Sequence, residues 1–416
     1  MKNMFHLPEQ VDMAIAILEE NGYEAYIVGG CVRDLIIGVT PKDYDITSNA
    51  LPSEVMYVFR KYRIIETGLK HGTVTVILQH MPIEITTYRI DGNYSDNRHP
   101  DNVDFTKSLS EDLKRRDFTM NAIAYNHKKG MIDIYGGKWD IENKIIRCVG
   151  NAEERFAEDA LRILRAARFS STLNFEIEKQ TSGSMKKCCG LLQNIAKERI
   201  NVELSKLLCG VGVRMVLLNF MDVIATFIPE IMSLTEFDIA HAANVINNTP
   251  DVLNLRLCAL FHDISGKMAR DILTRLKFDK ATIKSVYMLV LYHDMKIELN
   301  ASSLKRWLNK LSEAVVRDII TLKKAEMLAQ SSDNSFGIQH LDELIDLLDR
   351  IIKEQECYTI QNLAINGNDL IELGILEGKE VGNALNYLLN CVIDNNNLNT
   401  KQNLTYLILQ KSTVSN

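Results

Sequence analysis

The sequence predicts an α+β protein, a head of mixed α and β structure followed by helices to the end of the chain. Three observations lead there. Short β-rich runs punctuated by glycines and polar turns cluster before Gly150. From Ala157 onward, apolar residues recur at intervals of three and four while Pro and Gly become sparse. Breaks near Gly150, at Gly210-Val211-Gly212 and from Gln330 to Ser335 divide the chain into 1–149, 150–212, 213–335 and 336–416.

The first strand is Glu24-Ala25-Tyr26-Ile27-Val28, an apolar run that enters Gly29-Gly30 directly. Two glycines let the backbone turn tightly and approach a ligand. Val32 to Ile37 then has helical character, and the N–H groups of a helix N-terminus favour an anion above the glycines. Arg33 adds a forked cation suited to phosphate. Asp43-Tyr44-Asp45-Ile46 reads as a second strand, in which residues two apart share a face, so both carboxylates converge. Convergent carboxylates are what Mg²⁺ takes. Glu84 interrupts the β-rich run Met81 to Tyr88, where an acid is costly without a partner. Taken singly, Gly-Gly is only a turn and Asp-x-Asp is commonplace. The order strand, Gly-Gly, helix with Arg, strand with Asp-x-Asp is what a two-metal phosphoryl-transfer site requires.

Downstream lie Arg115-Arg116-Asp117-Phe118-Thr119-Met120-Asn121, then Asp133-Ile134-Tyr135-Gly136-Gly137, then Glu158-Asp159-Ala160-Leu161-Arg162, then Glu198 to Leu208. On a continuous helix Asp159 and Arg162 lie on one face, one turn apart. A carboxylate acceptor beside a guanidinium donor is suited to the pairing edge of a base, and cytosine and adenine both carry an exocyclic amine there. The plainer alternative is an ion pair on a solvated helix face, worth roughly 0.3–0.5 kcal/mol. Between Glu84 and the double arginine, Arg89 to Phe105 is polar and without apolar periodicity, the mark of a surface loop or a functional one.

Gly29 to Asp45 resembles the signature of the superfamily that includes DNA polymerase beta, in the form shared by class II tRNA nucleotidyltransferases (CCA-adding enzymes) and bacterial poly(A) polymerases. The later motifs match in order. The resemblance implies a nucleotidyltransferase head with a small mixed β-sheet, a helical neck with a nucleotide-selecting helix, a helical body and a helical tail that holds tRNA. It implies that Asp43 and Asp45 hold two Mg²⁺ ions, with Glu84 a third acid at the centre. Gly29, Gly30, Arg33, Arg115, Arg116, Asp117, Asn121 and Arg165 are then nucleotide-binding. Asp159 and Arg162 select the base, Glu158 orients the arginine, and Arg98 belongs to a flexible loop linked to the switch from C to A. The implied reaction adds C, C and A to a tRNA 3′ end from CTP and ATP without a nucleic-acid template, with the acceptor/T arm of tRNA as partner. Poly(A) polymerase, a partial CC- or A-adding enzyme and a non-catalytic RNA-binding protein are the alternatives. The last would show a broken carboxylate pair, and here both aspartates stand.

Leu260-Phe261-His262-Asp263 resembles the His-Asp core of metal-dependent phosphohydrolases, with His241, His293 and Asp294 available to complete a ligand set. The family's middle segment with two further histidines is missing after Ser265, so the expectation is that fold without its metal site. Composition adds little: 46% hydrophobic and 25% charged residues suit a multidomain globular chain. A net charge of −6 does not exclude RNA, which needs only a local basic surface such as Lys114-Arg115-Arg116, Lys186-Lys187, Lys305-Arg306 or Lys323-Lys324. Eight cysteines without Cys-x-x-Cys indicate neither a zinc site nor a disulfide framework, and fit a reducing cytoplasm. No run is long enough to cross a membrane and Met1 to Pro8 lacks a signal-peptide pattern. Oligomeric state is not legible.

Overall fold

The computed structural model describes residues 4–66, 68–92, 103–233, 235–330 and 335–414. Arg98 lies outside the described residues. The chain divides into two compact units, one ending at Ile239 and the other beginning at Ala240.

In the first unit α1 (Glu9–Glu20) precedes β1 (Ala25–Val28), α2 (Gly30–Ile37), β2 (Asp45–Ser48), α3 (Pro52–Val58), β3 (Arg63–Ile65), β4 (Thr73–Leu78) and β5 (Met81–Thr87). The short strands β6 (Arg89–Asp91) and β7 (Val103–Phe105) pair antiparallel. Next come α4 (Leu109–Lys114), β8 (Ala124–Asn126), β9 (Gly130–Ile132) and α5 (Gly137–Glu142). Seven strands form one mixed sheet in the order β3-β4-β5-β2-β1-β8-β9. Only β2 and β5 run parallel. The sequence of β1 follows from its place: Ala25-Tyr26-Ile27-Val28 is flanked on both edges and buried throughout, hence an unbroken apolar run. β4 instead alternates, with Val74, Val76 and Leu78 buried. Tyr26, Val28, Tyr88, Leu113, Ala122, Ala124 and Val149 share one core cluster of the head.

At the end of the head, β10 (Ile145–Ile146) pairs in parallel with β11 (Glu176–Ile177), a strand in the stretch expected to be helical. Around it stand α6 (Ala152–Glu158), α7 (Leu161–Leu173), α8 (Lys179–Cys188), α9 (Lys197–Leu208) and α10 (Val213–Ala225). α7 packs on both α9 and α10, and nine of its thirteen residues are buried. A Cβ on Gly210 would lie 2.2 Å from Ser171 Oγ, and one on Gly212 would lie 2.9 Å from Ser170 O. The Gly-Val-Gly segment therefore crosses closely against α7. Residues 213–239 group with the first unit, later than the expected break at 212.

The second unit is helical among its described residues: the end of α11 (Glu236–Asn248), α12 (Leu253–Phe261), α13 (Gly266–Arg275), α14 (Lys280–Tyr292), α15 (Ala301–Lys310), α16 (Glu313–Gln330), α17 (Ser335–Lys353), α18 (Gly367–Glu372), α19 (Lys379–Asp394) and α20 (Lys401–Val414). Leu370, Leu388, Val392, Leu404 and their neighbours make a core cluster of their own near the C-terminal end. Among the described residues no helix is long and apolar enough to cross a membrane.

Candidate active site

β1 delivers the chain into Gly29, whose φ of 82° and ψ of −130° fall where almost only glycine goes. Its N–H donates to Ile123 O at 3.2 Å, fixing the turn to the segment ahead of β8. A Cβ on Gly29 would stand 3.0 Å from Arg116 Nη1, whereas one on Gly30 would make an ordinary 3.6 Å contact with Arg33 Nη2. The turn thus joins a helix N-terminus to a nearby guanidinium, a combination suited to phosphate. Arg33 is placed differently from expectation. It is nearly buried, donates from Nε and Nη2 to Asp34 Oδ1 at 2.9 and 2.7 Å, and donates from Nη1 to Asn121 Oδ1 at 2.9 Å. It braces Asn121 instead of standing open above the glycines.

The carboxylates come from two strands. Residues 43 to 46 alternate exposed, buried, exposed, buried, so Asp43 and Asp45 share a solvent-facing side although the ladder of β2 begins only at Asp45. In the parallel pairing of β2 with β5, Asp45 lies opposite Glu84. Although the Asp45 side chain reaches solvent, the protein around it pushes its pKa upward; Glu84 and, more weakly, Asp43 push the same way, and Arg116 opposes them. No described side chain hydrogen-bonds or ion-pairs with the carboxylates of Asp43, Asp45 or Glu84, and no three potential ligands among the described residues close on one point. Asp43 and Asp45, two carboxylates on one side of the sheet without an ion-pair partner among the described residues, are a pair that could hold a hard divalent cation.

Arg115 and Arg116 are held by a residue that motif reading passed over. Asp112, on α4 and fully buried, accepts from Arg115 Nε and Nη2 at 3.0 and 2.8 Å and from Arg116 Nη2 at 3.2 Å. The two guanidiniums hold its pKa below the usual carboxylate value despite the burial that pushes it up. Its helical spacing, three and four residues before the arginines, is the signal that could have found it.

Asp117 is also occupied. Arg165 donates to its Oδ2 from Nε and Nη2 at 2.9 and 2.6 Å, and Asn121 Nδ2 donates to its Oδ1 at 3.1 Å. Burial would raise this carboxyl, but the Arg165 guanidinium more than compensates, leaving its pKa lowered to about 2. Arg165 and Arg168 also reach Glu203 of α9, at 3.8 and 2.8 Å. Arg33, Arg165 and Arg168 all lie on the ring of Phe169, at 5.1, 5.4 and 3.5 Å from its centroid. Arg168 and Phe169, like Asp112, carry no motif signal.

Asp159 and Arg162 depart from their expected geometry. Asp159 does not lie inside a helix with Arg162: α6 ends at Glu158, and Asp159 caps it with extended φ and ψ of −131° and 101°. Its Oδ1 accepts from Leu161 N–H at 3.1 Å, starting α7, and its Oδ2 accepts from Arg199 at 3.1 Å. Aspartate is a strong helix N-cap, and here that preference overrides helical continuity. Arg162, nearly buried, donates to Glu158 Oε2 at 2.7 Å and to Arg115 O at 2.9 Å, while Arg155 pairs with the other Glu158 oxygen. A cleft of about 190 Å³ opens here, lined by Arg115, Arg155, Glu158, Glu111, Lys114 and Ile90.

In the second unit the His-Asp motif ends α12. The rings of His241 and His262 lie 5.1 Å apart, and those of His262 and His293 6.3 Å apart. His262 Nδ1 is taken by Ala259 O at 2.7 Å, and Asp263 Oδ2 lies 3.2 Å from its Nε2.

Residues 25–147 match the Poly A polymerase head domain family, and residues 255–408 match tRNA nucleotidyltransferase domain 2. The chain is 36% identical to the CCA-adding enzyme of Ligilactobacillus salivarius over 404 residues, covering 95% of this chain and 96% of that one. It is 52% identical to the CCA-adding enzyme of Bacillus cytotoxicus over 196 residues, covering 47% and 49%. The crystal structure of the Bacillus stearothermophilus CCA-adding enzyme in complex with CTP superposes with a TM-score of 0.79 at 30% identity, over 98% of each chain. The Thermotoga maritima CCA-adding enzyme complexed with tRNA shares the fold, with a TM-score of 0.66 at 22% identity. A relative matched end to end at this identity, on a fold whose strands bring two aspartates and a glutamate beside a glycine turn, decides the question: the chain belongs to the family of CCA-adding nucleotidyltransferases.

Proposed function

We propose that this protein attaches C, C and A to tRNA 3′ ends from CTP and ATP, releasing pyrophosphate and using no nucleic-acid template. The observation that carries the reading is the β2–β5 register, which stands Asp45 opposite Glu84, neither carboxylate having an ion-pair partner among the described residues. Mg²⁺ held by Asp43 and Asp45, two ions in all, would neutralise triphosphate charge and lower the pKa of the attacking hydroxyl. Gly29 lets the phosphates approach the N-terminus of α2, and Arg115 and Arg116 supply fixed positive charge there. Glu84 is the third acid of the centre, deprotonating the tRNA 3′ hydroxyl or positioning the metal. Arg162, aimed by Glu158, and Asp159, aimed by Arg199, present a donor and an acceptor to the base. Asp117, Asn121, Arg33 and Arg165 form the bonded frame behind the nucleotide. Residues 150–212 serve as the neck, 213–335 as the body and 336–416 as the tRNA-binding tail, with the acceptor and T arms as the surface gripped and the cytoplasm as the compartment.

The test is a single-nucleotide-resolution gel with Mg²⁺ and tRNA ending at the discriminator base. Extension by two with CTP alone and by three with CTP and ATP is expected. A long ladder with ATP alone would replace this reading with poly(A) polymerase, which the match of the head to a Poly A polymerase family keeps in play.

A further inference from the structure

We infer that Asp112 is a positioning residue for the nucleotide: it sets the orientation in which Arg115 and Arg116 receive the triphosphate, and it locks both to the strand that carries Asp45. This rests on the assignment of those arginines to nucleotide binding.

One carboxylate joins α4, β2 and β6. Asp112 Oδ1 takes two N–H groups of Arg115 and, at 3.4 Å, the backbone N–H of Arg89 at the start of β6. Its Oδ2 takes Arg116 Nη2 and the hydroxyl of Thr47, both at 3.2 Å. Thr47 pairs with Thr86 in the same ladder that pairs Asp45 with Glu84. The orientation of both arginines is thereby tied to the strand register that sets the carboxylates.

One buried carboxylate faces two guanidiniums and fixes the orientation of both. Arg116 is the more telling of the two. Its Nη2 is spent on Asp112, while its Nη1 is the atom that a Cβ on Gly29 would meet. Asp112 therefore turns the remaining edge of that fork toward the glycine turn. Arginine side chains lose much rotamer freedom on binding, and ordering them beforehand moves that loss from the binding step to folding. Arg116 also acts electrostatically on Asp45.

The experiment is a double-mutant cycle on the full chain, read as the dissociation constants of CTP and ATP by equilibrium dialysis with and without Mg²⁺, and as KM and kcat separately. Asp112→Asn is expected to weaken both nucleotides about tenfold while kcat changes less than about threefold. Added to Arg116→Ala it should cost no more than about twofold further, because the two act as one unit. An Asp112→Asn protein with lowered Tm but wild-type nucleotide affinity, or an effect that adds in full to that of Arg116→Ala, overturns the proposal by making Asp112 a structural residue only. Wild-type affinity in Arg116→Ala overturns the underlying site assignment instead. Should Asp112→Asn fail to fold, Thr47→Val removes one bond to Asp112 while keeping every charge. It is expected to weaken affinity about threefold, again without adding to Arg116→Ala, and no change in affinity would overturn the proposal.

Discussion

Asp45 and Glu84 stand opposite each other on the two parallel strands of the head sheet, and the fold leaves both carboxylates without an ion-pair partner among the described residues. Surrounding protein, Glu84 and Asp43 all push the Asp45 pKa upward. A carboxyl with a raised folded-state pKa favours the fold when protonated, and that contribution is lost as pH rises through the raised value. At neutral pH the charge on Asp45 thus costs stability. Asp45→Asn is expected to raise the Tm of the metal-free protein at pH 7, to lose that advantage below about pH 4, and to cut transfer about a thousandfold or more. Paired thermal melts and gel assays check both halves. A lower Tm at pH 7 would contradict the electrostatic reading.

Asp117 has the opposite sign. Its pKa is lowered to about 2, so its contribution is present above the unfolded value near 4 and is lost as pH falls toward 2. Breaking its pair with Arg165 leaves a mostly buried guanidinium with only the longer 3.8 Å contact to Glu203. Asp117→Asn should therefore reduce unfolding free energy by roughly 3 kcal/mol at pH 7. The deficit relative to wild type should shrink between pH 4 and pH 2 in urea melts. A deficit independent of pH would point to packing instead of charge.

Gly29 and Gly30 separate conformation from contact. Gly29→Ala places a side chain where backbone geometry disfavours one, at a cost of about 1–3 kcal/mol, and pushes against Arg116. Gly30→Ala meets only the end of a flexible arginine at ordinary distance. Steady-state kinetics should show KM for CTP and ATP raised at least about tenfold in the first and less than about threefold in the second. Equal effects would mean that both glycines approach the ligand.

Arg162 is nearly buried and anchored by Glu158 and by the backbone of Arg115. Removing it should leave the carboxylate centre intact while discrimination against UTP and GTP falls by about ten- to a hundredfold. Single-turnover incorporation of all four nucleotides by Arg162→Ala measures this. Unchanged discrimination would transfer base selection to Asp159 and Arg199.

Much of the head was legible because its chemistry is local. The run from Gly29 to Asp45 carries turn, helix and carboxylate pair within one short unit, and each has a residue-level signal. The position of Glu84 beside Asp45 was not legible, since a strand pattern states that a strand exists but not which neighbour it takes. Asp112, Arg168 and Phe169 escaped for a related reason: their value lies in contacts with Thr47, Glu203 and Arg33, far away in sequence. The break at Asp159 was written in the chain as an N-cap residue. Apolar periodicity on both sides of it favoured one continuous helix, and the cap won. The close contact of the Gly-Val-Gly segment with α7 was not legible either, because sequence does not distinguish a flexible glycine from one that lets two helices touch.

The central position of β1 bears on how the protein is made. One edge of β1 pairs with β2 about twenty residues later, but the other waits for β8, about a hundred residues downstream. At ribosomal speeds of roughly 5–20 residues per second, the most apolar strand of the head emerges many seconds before its second partner exists. During that interval an unpaired, hydrophobic strand edge is exposed on the nascent chain. Truncations that stop short of Ala124 should aggregate, whereas those that extend past Ile132 give the sheet its full complement of strands, so chaperone demand during synthesis is set by the distance between two short segments that end up side by side.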